Sequence, residues 1–492
     1  MTGGAPGALV DLAVVAAYLA ALVLLARRRR STSTGEYLLA GRSLTLPAFV
    51  ATLVSTWYGG VLGVGEYSYL HGLSNWIALG GPYYLAGLIF AFLLAGKARR
   101  SALVTVPDRL LADHGPGVAA LGAVLVFVNM LPAAYLLMLG VLAHRLLGTS
   151  VGLGVGFFAV LSVTLVVGAG FRAVVRHNGL QFVLMYGCFA LLLPVALVRA
   201  GGVGALSGLP AGALSWDGGL GLQAVAVWYV IALQTLVEPS FYQRCYAART
   251  PAVARRGILW SVFFWIVFDG LTTLTGMLAR VLLPDLGNPV EAYPALADAL
   301  LPPVARGLFY VGLLATVMST VESYLFVAAT TIGFDLPRIW RRWRGVDGGA
   351  ETRSEAGTTR ATRVGLALAT AASVALALST DSVVTLWKAM GSVITPSLLL
   401  PLLGGFLPRW RAGSRATGAS ILGAALTALA WMAPTWAGRE LPLGIEPIFP
   451  ALAVSVAIHL PAWLRLRAPG EPPAGPGRPG NPGPGSVTDP AA

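Results

Sequence analysis

The chain has 492 residues, of which 56% are hydrophobic and 11% charged, with a mean hydropathy of +0.74; soluble proteins average roughly 25% charged residues. Those proportions exclude a soluble globular enzyme, a disordered protein and a disulfide scaffold. The formal charge of +13 would point to nucleic acid in a soluble protein, but here it has first to be sorted by side of a bilayer.

A bilayer core takes about 20 apolar residues per helix. Windows of that kind lie near 8–26, 46–70, 75–96, 116–144, 149–171, 178–199, 221–242, 257–282, 304–334, 364–380, 384–407, 416–436 and 446–464. They predict an all-α polytopic membrane protein of about thirteen transmembrane helices. No positive charge precedes the first window and Arg27 to Arg30 follow it, which predicts a retained helix with its N-terminus outside rather than a cleaved signal. Alternating sides from there puts 28 of the 34 Lys/Arg on the cytoplasmic side, five outside and Lys388 within a span, a strong positive-inside bias that also puts the C-terminus inside. Sorted this way, the basic excess records orientation and calls for no nucleic-acid partner. The stretch 468–492 is Pro/Gly-rich without a strict period and reads as a disordered cytoplasmic tail. Cys188 and Cys245 lack metal-type spacing, and the five histidines form no HExxH, so neither a disulfide nor a zinc site is indicated.

Charges inside the membrane are costly and mark function. Four acids fall inside the windows: Glu66, Glu238, Asp269 and Glu322. The plainer reading is that an acid near a helix end reaches water, and it applies most readily to Glu66 and Asp269. Two helices look interrupted. The second carries Thr56-Trp57-Tyr58-Gly59-Gly60 with Gly63 and Gly65; the seventh carries Val237-Glu238-Pro239-Ser240. Small residues also serve helix packing. However, these two helices open successive five-helix sets, 2–6 and 7–11, which enter the membrane from opposite sides because five is odd. Paired interruptions in inverted halves point to a transporter's substrate site. In the ninth helix Thr316, Ser319 and Thr320 fall on one face, a set of hard oxygens suited to a small cation, unless each simply bonds the carbonyl one turn back.

Four segments resemble one family in the right order. Glu36-Tyr37-Leu38-Leu39-Ala40-Gly41-Arg42-Ser43-Leu44 is similar to an "EYFLAGRSL" opening and Thr105-Val106-Pro107-Asp108 to a "TLPE" loop. Gln243-Arg244 with Ala247-Ala248 is similar to "QR..AA", and Met318-Ser319-Thr320 with Ser323, Leu325 and Asp335 to an "MST..S.L…D" signature. The chain thereby resembles the sodium/solute symporter family, whose members carry sugars, proline, sialic acid, pantothenate or choline, over roughly residues 35–460. The resemblance implies a LeuT-type 5+5 inverted-repeat fold and sodium-driven uptake by alternating access across the plasma (inner) membrane, with Na+ the only cofactor. It divides the chain into an extra first helix with its basic flank (1–34), a transport core (35–410), two further helices (411–467) and the tail. By position it implies sodium ligands at the carbonyls of Leu53, Thr56 and Thr316 and the hydroxyls of Ser319 and Thr320. Where relatives often carry Asp in a "TDxxQ" pattern, this chain has Asn178 before Gln181, which implies one sodium rather than two. Thr56-Trp57-Tyr58-Gly59-Gly60 is nearer the "TWVGG" of choline carriers than the "SG" segment of sugar carriers.

Trp57, Tyr58, Gly59, Glu238 and Phe241 are the expected solute-binding residues, beside the two interruptions. An aromatic-plus-carboxylate site suits an amine-bearing or quaternary cation. Alternatively Glu238 caps amides freed at the proline, or pairs with Lys388 or an arginine. Proton coupling through Glu66, Glu238 or Glu322 is the main rival to sodium. A sensor would need an appended signalling domain, and an intramembrane enzyme a nucleophile–base or metal constellation that the helices do not offer.

Overall fold

The computed structural model describes residues 5–27, 31, 33–346, 355–379 and 383–465. Arg28 to Arg30, residues 347–354 of the basic loop and the tail at 468–492 lie outside the described residues. A helical run overlaps each expected window, and we number these in chain order. They are α1 (Ala5–Arg27), α2 (Leu46–His71), α3 (Asn75–Arg100), α4 (Pro116–Leu147), α5 (Val151–Val166), α6 (Phe171–Ala200) and α7 (Leu222–Ala247). After them come α8 (Pro251–Leu282), α9 (Ala305–Trp343), α10 (Glu355–Ala377), α11 (Val383–Phe406), α12 (Ser414–Trp436) and α13 (Ile448–Arg465). Among the described residues, ten of these runs are long and apolar enough to cross a membrane, and α5 and α13 are shorter apolar helices. Apart from one isolated bridge, Leu44 with Ala248, the described residues form no β-structure, as expected where every backbone group has to be satisfied within its own segment.

α9 is the axis of the molecule. Its apolar window is wholly buried, whereas that of α1 is only 22% buried. It packs against α6, α2, α1, α4 and α10. Small side chains make this possible: a Cβ on Gly312 would run into Cys188 of α6, and packing between membrane helices rests on such close approach. α1 is anchored to it by Asp11, whose Oδ2 accepts from the Arg306 guanidinium at 2.6–2.7 Å while Oδ1 accepts from the amides of Val304 and Gly307. α12 and α13 pack on α11, beside the rest of the bundle.

Both expected interruptions are present. α2 tightens into a 3-10 turn at Tyr58–Gly60, and α7 does so at Ala232–Leu236 before opening at Val237–Glu238. Pro239 lacks an N–H and forces the preceding residue out of helical dihedrals; Glu238 sits at φ −67°, ψ 110° and a new helix starts at Pro239. The freed carbonyl of Leu236 is taken by the Tyr242 hydroxyl at 2.7 Å. α4 also breaks, at Met130–Pro132, and α3 opens with a π-turn at Asn75–Gly80. Neither had been expected from the sequence.

The described ion pairs respect the alternation of sides. Arg145 with Glu291 and Asp298, and Arg306 with Asp11, join groups assigned to one side. Arg109 and Arg411 with Asp113, Arg338 with Asp108, and Arg172 with Glu36 join groups assigned to the other.

Candidate sodium and solute sites

Just before its tight turn α2 lies against α9, bridged by short hydroxyl side chains. Ser319 Oγ stands 2.7 Å from the Ser55 carbonyl and 2.6 Å from that of Thr316, and Thr320 Oγ1 donates to the Thr56 carbonyl at 2.6 Å. The Thr316 hydroxyl bonds back to Gly312 at 2.7 Å, so Thr316 offers the cluster its carbonyl only. All these groups are fully buried. Four of the five expected sodium ligands thus converge. Leu53 is buried on the same helix, but the α2 carbonyls that the hydroxyls reach are those of Ser55 and Thr56. Neutral hydroxyl and carbonyl oxygens are hard donors, and a small monovalent cation suits them.

Alongside is a second polar cluster, centred on the fully buried Arg244. Its Nη2 donates to Ser323 Oγ (2.8 Å), Thr56 Oγ1 (2.9 Å) and Thr52 Oγ1 (3.3 Å), and its Nη1 to the Ser240 carbonyl and Gln243 Oε1. Asn178 Nδ2 donates to the same two threonine hydroxyls at 2.8 and 3.0 Å. The sequence flagged Arg244 as a motif residue without a role. Here it is a fixed cation one hydroxyl away from the sodium-type oxygens, since Thr56 offers its carbonyl to one cluster and its side chain to the other.

Glu322 takes a third course. It is completely buried, pairs with His177 Nδ1 at 2.6 Å and lies 3.4 Å from Gln181 Nε2. Removing one member of such a pair strands the other. His177→Ala is therefore expected to cost about 3–5 kcal/mol of stability, read as a fall in the thermal midpoint of the purified protein.

Beside the interruptions of α2 and α7 lies a cavity of about 200 Å³. Trp57 and Tyr58 from α2, Tyr135 from α4, Tyr324 from α9 and Trp387 from α11 supply aromatic walls, and Glu238 and Asp269 supply carboxylates. Three of the five expected solute residues, Trp57, Tyr58 and Glu238, line it. Phe241 stands behind, its ring 5.2 Å from that of Trp57 and 5.5 Å from that of Phe90. Gly59 faces Thr320 instead, whose side chain fills the place of a Cβ. The Glu238 carboxylate does not cap its helix, and both of its oxygens lack a hydrogen-bond partner at 1% exposure. Lys388 is engaged elsewhere, bonding Glu446 at 3.1 Å. Asp269 accepts a hydrogen bond from the Tyr84 hydroxyl, and Glu66 is only half-buried. The walls from α4 and α11 were missed. Their only signals were Leu131-Pro132, which breaks α4, and a tryptophan beside the intramembrane Lys388.

The profile of the Sodium:solute symporter family matches residues 37–414. The sodium/pantothenate symporter of Escherichia coli (strain K12) is 26% identical over 342 residues, covering 63% of this chain and 68% of its own length. The osmoregulated proline transporter OpuE of Bacillus subtilis (strain 168) is 24% identical over 462 residues, covering 87% and 89%. Among solved structures, a sodium-coupled sialic acid symporter in a substrate-bound outward-open state superposes with a TM-score of 0.76 at 15% identity, covering 93% of this chain and 97% of that one. At that identity the likeness speaks for the fold alone, which is the LeuT-type transporter fold.

Proposed function

The chain belongs to the sodium:solute symporter family, and from that premise we propose that the facing oxygens of α2 and α9 hold its coupling sodium while the cavity next to them holds its solute. The protein is a membrane-embedded, sodium-coupled symporter of a small solute, a transporter and not an enzyme. The proposed ligands of the ion are the carbonyls of Leu53, Thr56 and Thr316 and the hydroxyls of Ser319 and Thr320, with the Ser55 carbonyl within reach of the same set. The observation that carries this reading is the shared turn of α2: Ser55 and Thr56 offer carbonyls to α9, and the next two residues, Trp57 and Tyr58, wall the cavity.

Coupling follows from that adjacency. An ion tying α2 to α9 stabilises the arrangement in which the cavity is formed, and its departure releases the tie, so ion and solute favour the same conformation. A single sodium is the proposed stoichiometry. Where a second cation would need a carboxylate, Asn178 offers an amide and Arg244 already supplies a positive charge. One charge crossing 100 mV contributes about 2.3 kcal/mol before any concentration gradient. On a topology with the N-terminus outside and the protein in the inner membrane, the cavity residues Tyr67, Trp228 and Lys388 fall toward the outer ends of their helices. On this reading residues 35–410 form the transport core.

Sodium titration of the purified protein at fixed pH, with potassium or choline making up the ionic strength, tests the site. Sodium alone is expected to raise the thermal midpoint, along a curve with a Hill coefficient near one, because a ligand of the folded state stabilises it by mass action. Equal stabilisation by potassium, or a coefficient approaching two, would overturn the one-sodium site.

A further inference from the structure

We propose that the transported solute is a small organic amine, bound as its ammonium ion with the nitrogen donating to the Glu238 carboxylate. This rests on the cavity being the solute site, and goes beyond it by naming the chemical class.

The argument starts from an imbalance. Glu238 is nine-tenths or more buried and faces the cavity, and neither oxygen makes a hydrogen bond of normal geometry within the protein, although Ser240 and the Tyr324 hydroxyl stand close to it. Burying a charged acceptor without a donor costs several kcal/mol. A donor from outside the chain would complete it. No neighbouring cation hydrogen-bonds it. Lys388, at the cavity wall, is paired with Glu446 and its side chain is 41% exposed. The Arg244 guanidinium attracts Glu238 through space, but it is hydrogen-bonded to Thr52, Thr56 and Ser323 and is not part of the cavity wall. Asp269 adds a second carboxylate to the same cavity, held by Tyr84. The cavity therefore carries two acids against one cation that is already paired.

A solute with a carboxylate or phosphate would meet repulsion here, and a neutral sugar would leave the charge of Glu238 uncompensated. A cation corrects both. Aromatic rings strengthen the case, since Trp57, Tyr135, Tyr324 and Trp387 present faces or edges around the same space, and an ammonium group is attracted to the faces of such rings. The two vacant acceptors narrow the class further. A quaternary ammonium has no N–H to give them, whereas a primary or secondary ammonium has two or three. The sodium ion does not substitute for this cation, because its proposed ligands are neutral oxygens on the α9 face of α2.

The test is a stability screen of the purified protein in saturating sodium with butylamine, ethanolamine, choline, glucose, proline and pantothenate as probes, run on wild type, Glu238→Gln and Glu238→Asp. One or both primary amines are expected to raise the thermal midpoint of wild type by a few degrees. The glutamine variant should weaken that response about tenfold or more in half-saturating amine, while the aspartate variant keeps part of it. The stabilisation by sodium without solute should be the same in all three proteins. A shift with glucose, proline or pantothenate in place of the amines, a response to choline alone, no shift with either amine, or an amine response that survives in Glu238→Gln would each overturn the proposal. Loss of the sodium response in Glu238→Gln would also overturn it, by assigning the carboxylate to the ion. Absence of the sodium response in wild type, by contrast, would remove the sodium site on which the reading of the cavity rests.

Discussion

Ser319→Ala combined with Thr320→Ala is expected to raise the sodium concentration for half-maximal stabilisation about a hundredfold. Each hydroxyl reaches across from α9 to a carbonyl of α2 at 2.6–2.7 Å, and on the proposed assignment both oxygens ligate the ion. A hydrogen-bonding contact to a charged group is worth about 1.5–3 kcal/mol. Two at the low end give about 3 kcal/mol, or roughly two orders of magnitude in affinity. The fold should survive, because alanine fits wherever serine does and removes only two small groups at threonine. Thr320→Ser keeps the oxygen and should stay within a few fold of wild type, whereas Thr316→Val removes a hydroxyl committed to Gly312 and should leave sodium affinity nearly unchanged. An unchanged sodium titration in the double variant would place the ion elsewhere.

The contrast between Thr316 and its neighbours shows how far the sequence could be read. Helical spacing put three hydroxyls on one face of α9, and the structure keeps them there. What spacing could not say is which one bonds only its own helix, because that depends on whether a carbonyl of another helix is within reach. Likewise Pro239 announced the break of α7, since a missing N–H is a property of the residue itself. The break of α4 at Met130–Pro132 rests on an equally local signal, yet its consequence, Tyr135 lining the cavity, depends on how α4 leans on α9 and α11. Lys388 looked from the sequence like a partner for Glu238. It is bonded instead to Glu446, 58 positions away at the start of α13, a pairing that only tertiary packing reveals. The role of Arg244 was hidden for a similar reason. Its hydroxyl acceptors come from α2 and α9, so no window around position 244 contains them.

These placements separate three kinds of buried charge that look alike in a sequence. Glu322 is closed within the protein by His177, the terminal nitrogens of Arg244 are held by hydroxyls, and Glu238 is left open to a cavity. Of the three, only Glu238 lines the cavity. Glu322 and Arg244 instead tie α9 to α6 and to α7, and so bear on which helices move together when the ion leaves.

The three glycines that follow the sodium-type carbonyls offer a way to separate ion from solute. Gly59→Ala is expected to abolish sodium-dependent stabilisation and uptake together, because its Cβ would fall within the side chain of Thr320, on the proposed ligand itself. Either α2 withdraws from α9 or Thr320 turns away, and overpacking of this kind costs about 1–3 kcal/mol in addition. Gly60→Ala meets a different wall, the ring of Trp387, and should impair solute response while leaving the sodium titration close to wild type. At Gly63 the nearest ring atom of Trp387 would be 3.1 Å from a new Cβ, close enough to press on the indole without displacing it far, so Gly63→Ala should be the mildest of the three. The order of effects on sodium, large at 59 and small at 60 and 63, follows from which neighbour each missing Cβ makes room for. Equal loss of sodium response at all three positions would mean that the turn of α2 acts only as a packing device, and the division of labour between its two faces would have to be abandoned.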